Sequence, residues 1–476
     1  MSMHFSDELV YSKSISAHGN YKYLRILPIG STQNPTLSLT STTQTQFELP
    51  NNVINLSLSK LCFDLVIPST AGLLTFNNIY ANALSLIDRI TLTSRAGVIL
   101  ADIPNTHIFG NLVSCVNTKL SDLLVRNAPG TALPNGTTTD GTNAGANSNI
   151  VSQAAAIAAA ELSPVGDILR CNNTYNYQVG ASGVTATALV NLAYSSYNEP
   201  LNIYRGPALA QYNALTYHIN LSAFKDTLME LNKNIYFGDN LVLTINWNSF
   251  VKTGFTTTAV VTTNALTNSA AFVNMTPSVN NLFLYTACET DPTIISQLVS
   301  SVSNGEFSII TPFVYCQKYN ASASTSSAMQ QRLNSSYGST LLRTYFGVFS
   351  NNESDLTTYT HNDGLITSYN TYMDGLRLQD FTLSVADSTH WLSNERNFRD
   401  SCIMNISQYK TNFVHIDNWC GASPCQNDDS SLNGLSLDSD RTWSIQTITP
   451  AAALRYYAFC TTQKKLVISK GVIHLV

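Results

Sequence analysis

The sequence predicts an all-β chain built as two antiparallel β-sandwiches in tandem, with a few short helices and long surface loops. Three observations carry that prediction. Short stretches of alternating apolar and polar residues, the period of a half-buried strand, recur along the chain between Gly-, Asn- and Pro-bearing turns. Helical periods are few. A Thr-, Ala-, Ser- and Asn-rich run after residue 250, without strand or helix period, separates two strand-rich halves. At 476 residues the chain has room for about two to four domains. The expected division is an arm with a first strand over 1–46, a first sandwich over 47–252, a linker over 253–279 and a second sandwich over 280–476.

In chain order, residues 1–46 are polar and Thr/Ser-rich with an apolar island at 23–29, which reads as an arm reaching a neighbour. Leu61, Phe63, Leu65 and Ile67 alternate with Cys62, Asp64 and Val66 until Pro68 stops the run. Segments 84–92 and 98–103 form a hairpin around Ser94-Arg95-Ala96-Gly97. Ile108, Leu112, Val116, Leu120 and Leu124 recur every four residues, one helical stripe for packing on a sheet. A Gly-, Asn- and Thr-rich loop follows at 126–149, then an Ala-rich helix at 150–162 and a short strand at 188–194.

The stretch 216–250 reads as strand, short helix, turn, strand. Ser222 caps a helix carrying Phe224, Leu228 and Leu231 on one face. Gly238-Asp239 turns the chain, and Leu241, Leu243, Ile245 and Trp247 then line one side of a strand. In the second half, 282–288 is a strand, and Asp291-Pro292 supplies a cap and a first-turn proline for a helix bearing Ile294, Ile295, Leu298, Val299 and Val302. Strands follow at 307–315, 341–349, 376–385, 412–419, 442–448, 456–461 and 466–476, with polar loops between.

Charged residues make up only 12% and the net charge is −5, so the surface is neutral and polar, rich in Asn, Ser and Thr. Direct nucleic-acid binding is not expected, because the basic stripe it needs is missing. The N-terminus lacks the apolar core of a secretory signal, and no apolar run approaches the roughly 18 residues that span a bilayer. The nine cysteines (62, 115, 171, 288, 316, 402, 420, 425, 460) are odd in number and mostly sit in apolar patterns, which reads as reduced thiols. Without a signal, the sequons at Asn55, Asn220 and Asn334 are not read as glycosylated.

Three groups resemble sites. His415-x-Asp417 with Cys420 and Cys425 is a compact ligand-type cluster, but its spacing fits structural zinc loosely. Asp438-x-Asp440 lacks the Gly and terminal Glu of a calcium loop and reads as a solvated turn. Asp387, Ser388 and His390 lie close in sequence without the G-x-S-x-G elbow of a hydrolase. No phosphate-binding glycine loop occurs. The reading is therefore no enzyme, no catalytic residues, no cofactor and no metal.

Gln331-Arg332-Leu333-Asn334-Ser335-Ser336-Tyr337-Gly338, then Leu341-Leu342-Arg343-Thr344-Tyr345 and Phe349-Ser350-Asn351-Asn352-Glu353, resembles the second-domain signature of double jelly-roll major capsid proteins, in particular those of polinton-like viruses and virophages. Arg377-Leu378-Gln379-Asp380-Phe381 and Tyr409-Lys410-Thr411-Asn412-Phe413-Val414-His415-Ile416-Asp417 resemble later motifs of that family, and 216–250 the end of its first jelly roll. The resemblance covers roughly 210–420. It implies two tandem eight-stranded jelly-roll sandwiches per chain. It also implies pseudo-hexameric homotrimers that tile the icosahedral capsid of a double-stranded DNA virus, with neighbouring capsomers, penton and minor capsid proteins as partners. The chain would be made in the infected cell and end in the virion; an inner membrane is left open. A carbohydrate-binding β-sandwich adhesin or lectin is the alternative from another class, and it would call for a secretion signal.

Overall fold

In the computed structural model, the described residues are 20–30, 37–38, 44–66, 74–78, 87–117, 175–179, 214–248, 278–323, 326–350, 363–398, 409, 413–420, 434–449 and 453–475. The expected loop 126–149, the helix 150–162, the strand 188–194 and nearly all of the expected linker lie outside them. So do Cys171, Cys402 and Cys425.

The first half runs β1 (Tyr21–Ile26), β2 (Leu37–Ser38), β3 (Gln44–Leu49), β4 (Val53–Val66), β5 (Leu74–Asn78), β6 (Ile87–Ser94), β7 (Ile99–Pro104), α1 (Thr106–Asn117), β8 (Tyr175–Val179), β9 (Ala214–Asn220), β10 (Asn234–Tyr236), β11 (Leu241–Trp247) and β12 (Ser278–Glu289). After α2 (Pro292–Asn304) come β13 (Glu306–Ala321), β14 (Ser326–Leu333), β15 (Thr340–Ser350), β16 (Ser368–Met373), β17 (Leu376–Arg377) and β18 (Leu383–Ser384). The chain continues through α3 (Thr389–Asn394), β19 (His415–Asn418), β20 (Leu435–Ser436), β21 (Arg441–Ile448), β22 (Leu454–Ser469) and β23 (Val472–Leu475).

These strands build four main sheets whose orders repeat. In the first sandwich β1-β12-β4-β10 faces β3-β11-β6-β7; in the second β13-β22-β15-β19 faces β14-β21-β16-β17. The short strands repeat too. β9 and β10 both pair with β4, as β19 and β20 both pair with β15. Helix α1 follows β7 as α3 follows β17 and β18, which both pair with β16. Each sandwich thus has eight strands along its main sheet paths, joined by antiparallel ladders. β5 and β8 form a separate antiparallel pair.

Alternation accounts for the core. β11 points Leu241, Leu243, Ile245 and Trp247 inward between β3 and β6, where Leu243 lies opposite Phe47 and Leu92 and all three are fully buried. The expected hairpin forms over β6 and β7, with Gly97 at φ +90° in its turn, a backbone that favours glycine. Asp291 caps α2 by accepting from Thr293 N at 2.8 Å, with Pro292 at its first position. In the 334–338 turn, Asn334 Oδ1 accepts from Ser336 N at 3.0 Å. Gly338 follows at φ +148° with its α-carbon against the Gln463 carbonyl, so a Cβ there would clash with backbone.

Four expectations are corrected. The arm strand is part of the first sandwich: β1 pairs along its whole length with β12, and Leu24 and Ile26 pack on the core. The strand expected to open the second sandwich closes the first, because β12 pairs with β4 as well as β1. By strand pairing the second sandwich begins at β13. The helix expected after Ser222 is two 3-10 turns, Leu221–Ala223 and Leu228–Glu230, separated by Asp226 at φ +55°. Leu221, Phe224, Leu228 and Met229 are buried all the same, so the apolar spacing marked burial and not a helix. Finally, the two strands expected over 456–476 are one long strand, β22, and the short β23 after a turn at Lys470-Gly471.

Candidate functional site: the junction between the two sandwiches

The predicted ligand cluster sits inside the second sandwich. His415 Nδ1 accepts from Tyr369 Oη at 3.0 Å and from Asn394 Nδ2 at 3.0 Å, which leaves Nε2–H to donate to Asp417 Oδ1 at 3.1 Å. The second Asp417 oxygen accepts from Trp443 Nε1 at 2.8 Å. A carboxylate and an imidazole satisfied in this way tie β16, β19, β21 and α3 together. Cys420 donates to Asn418 Oδ1 at 3.1 Å instead of facing the pair. Among the described residues no group of three His, Cys, Asp or Glu side chains could hold a metal. Asp438 accepts from Ser436 Oγ at 2.8 Å in an exposed turn, and Asp440 follows it as an exposed residue.

Asp387, Ser388 and His390 do not form a triad. His390 Nδ1 lies 3.1 Å from the Ser384 carbonyl and Nε2 3.2 Å from Asp363, so both ring nitrogens face groups other than Ser388. Their arrangement has a counterpart in the first sandwich. Thr106-His107-Ile108-Phe109 and Thr389-His390-Trp391-Leu392 open α1 and α3, each after a residue of positive φ, Asn105 at +52° and Ser388 at +56°. Each histidine is buried and each faces an aspartate, His107 with Asp88 at 3.4 Å and His390 with Asp363 at 3.2 Å. The histidine–aspartate pair is a structural element of the repeated fold. The sequence carries the signal, a Thr-His dipeptide at the start of each of the two helices.

The chemistry that sequence reasoning missed lies where the sandwiches meet. β15 and β22 are buried on both faces, unlike ordinary half-buried strands. One face fills the second sandwich. The other, bearing Arg343, Tyr345, Gly347, Phe459 and Thr461, meets the first. Phe109 of α1 packs on Tyr345 at 6.1 Å and Phe459 at 4.9 Å between ring centroids. A side chain at Gly347 would run into the end of Leu112.

Beside these rings lies a buried charged cluster. Asp226 Oδ1 is 3.5 Å from Arg343 Nη1, and Thr461 Oγ1 donates to Asp226 Oδ2 at 3.1 Å. Glu230 accepts from Asp226 N and from Lys225 Nζ, both at 2.8 Å. The positive φ that broke the expected helix turns Asp226 toward the second sandwich. Burial holds the Asp226 carboxyl above the usual carboxylate range, with Arg343 pulling against it.

His107 faces Asp88, Arg455 and Lys318 at the same junction. Burial first, then the two cations, lowers its pKa to about 3. A hydrogen bond to the Ile87 backbone opposes this in part. The unfolded chain therefore binds the proton that the native state refuses. Stability contributed by His107 is complete above about pH 6.5 and is lost as pH falls toward about 3, by at most roughly 5 kcal/mol. Urea titrations near pH 7 and near pH 4 should show a smaller acid loss for His107→Gln than for the wild type. An identical loss removes His107 from the account.

Cys62, Cys288, Cys316, Cys420 and Cys460 are thiols. Burial pushes both Cys316 and Cys460 up to about 12, so they stay protonated and unreactive in the fold. Alkylation in denaturant without reductant should label at least these five, and alkylation of the native protein should leave Cys316 and Cys460 unlabelled. Rapid native labelling of Cys460 would contradict its burial.

No protein-family model and no curated protein sequence matches the chain. Solved structures do. A chain of the cryo-EM structure of the Sputnik virophage superposes with a TM-score of 0.52 at 11% identity, over 96% of this chain and 89% of that one. A chain of the PBCV-1 virus capsid gives 0.51 at 11% identity over 96% and 97%, and the mavirus major capsid protein 0.50 at 9% over 95% and 90%. The likeness spans both sandwiches. The chain is a double jelly roll. The double jelly roll explains why the buried polar groups are stitched between strands: the described ones brace β-sheets and their junction.

Proposed function

We propose that this double jelly roll is a major capsid protein, resembling those of polinton-like viruses and virophages, whose chain supplies two of the six modules of a pseudo-hexameric homotrimer. The observation that carries the reading is the repeat of strand order across a charge-pinned junction, in a fold shared over nearly the full chain with capsid proteins of viruses and virophages. A module duplicated in one chain halves the number of separate associations needed to close a six-module ring. The neutral, polar surface fits contacts made to further copies, to penton and minor capsid proteins, and in an icosahedral shell around double-stranded DNA, without direct grip on the nucleic acid. No catalytic, cofactor or metal role is assigned to His390, His415 or Asp417, whose ring and carboxylate atoms brace strands.

Light scattering after size exclusion should return about three chain masses, and electron microscopy should show particles of hexagonal outline. A stable monomer at micromolar concentration overturns this reading.

A further inference from the structure

Because the sandwiches share one strand order, each surface that the first uses has a counterpart in the second. Within the chain, the flank of β7 and α1 docks on the outer face of β13-β22-β15. The counterparts are the flank of β17 and α3 in the second sandwich and the outer face of β1-β12-β4 in the first. Among the described residues, both carry exposed large apolar side chains. On the flank, Leu376 is 74% exposed, Leu392 63%, Phe381 51% and Leu378 38%; on the sheet, Tyr23 is 39% and Tyr285 37%. Patches of this kind mark association surfaces.

The equivalence holds at single residues. Phe109 and Leu392 occupy the fourth place of the matched Thr-His segments described above, after the same left-handed turn. Phe109 is 2% exposed because it lies against Tyr345 and Phe459, whereas Leu392 projects from the surface. The receiving faces correspond as well. The outer face of β22 carries Tyr457 and Phe459 with parallel rings, 6.2 Å apart at 7°. The outer face of β1 and β12 carries Tyr23 stacked on Tyr285 at 4.7 Å and 3°, next to Arg25 over the Phe283 ring at 4.5 Å.

We propose that a second copy of this chain occupies these faces. Leu376, Leu378, Phe381 and Leu392 of one copy dock on Tyr23, Tyr285 and the Arg25–Phe283 pair of the next, repeating between chains the junction each chain makes internally. The contact is head to tail, two different faces meeting, so it propagates from copy to copy and ends only by closing a ring. This rests on the capsomer reading, in which the ring closes at three chains.

The test uses the full chain with Leu392→Glu or Tyr285→Glu, both at exposed positions where the monomer fold should survive, as judged by circular dichroism and melting temperature. Each variant alone should elute as a monomer, with the mass falling to about one third. Mixed one to one, well above the concentration at which wild type assembles, they should form a dimer, because one intact pair of faces remains. Val472→Glu, exposed on β23 and belonging to neither face, should still form trimers. Phe381→Glu takes the place of Leu392→Glu if that variant does not fold. Trimers from the two face variants, or a mixture that stays monomeric, overturn the proposed contact and leave the capsomer reading intact. A monomeric wild type overturns the capsomer reading itself.

Discussion

Arg343→Leu should cost about 3–5 kcal/mol, because it leaves Asp226 charged and unmatched in the junction. The two side chains are only 7% and 8% exposed, so water cannot replace the lost guanidinium. Adding Asp226→Asn to that variant should restore most of the loss. Asparagine tolerates the positive φ at that position and can still accept from Thr461 Oγ1. The pH dependence supplies a second check. Removing Arg343 removes the group that pulls the Asp226 pKa down, so the carboxyl holds its proton to higher pH in the folded state than in the unfolded one. The deficit of Arg343→Leu should therefore be largest near neutral pH and shrink on acidification. Urea midpoints across pH read both effects. A pH-independent loss, or one that Asp226→Asn fails to relieve, would show that the pair is not what the junction depends on.

Leu243→Ala should destabilise the first sandwich by about 2–5 kcal/mol, from lost burial plus a residual cavity. Leu243 is fully buried between Phe47 and Leu92, both on strands pinned by ladders on either side of β11, so the site has little freedom to collapse. A typical domain's margin is about 5–15 kcal/mol, so the yield of folded protein should fall with it. Ile448→Ala, at a half-exposed position in the second sandwich, should change the urea midpoint little. Equal effects from the two substitutions would mean that β11 is not a core strand.

The sandwich strands were legible wherever one face is buried and the other wet. The alternation of Leu241, Leu243, Ile245 and Trp247, the hairpin at Gly97 and the cap at Asp291 are local patterns, and each appears in the structure where the sequence placed it. β22 was harder to read. Its first ten residues are all buried, five toward each side, which erases the alternation that marks a half-buried strand. The role of the candidate side chains was hard to read for a related reason. His415, Asp417 and His390 have the chemistry of ligands and bases. Whether such groups act or merely brace depends on their hydrogen-bond partners, and here those come from Tyr369, Asn394, Trp443 and Asp363, distant in sequence.

By itself the sequence determined the kind of protein this is: all-β, in two strand-rich halves, with apolar faces of the right period to close two cores. Period and turn chemistry act over a few residues, and a chain carries them before it folds. Only the tertiary structure decided where the halves divide, because β12 could be assigned to the first sandwich only by the ladders it forms with β1 and β4, about 210 to 270 residues away along the chain. The tertiary structure also decided that Asp226 meets Arg343. A strand pattern specifies that a face must be covered and says nothing of what covers it; that choice is made by shape and charge complementarity once the sheets exist.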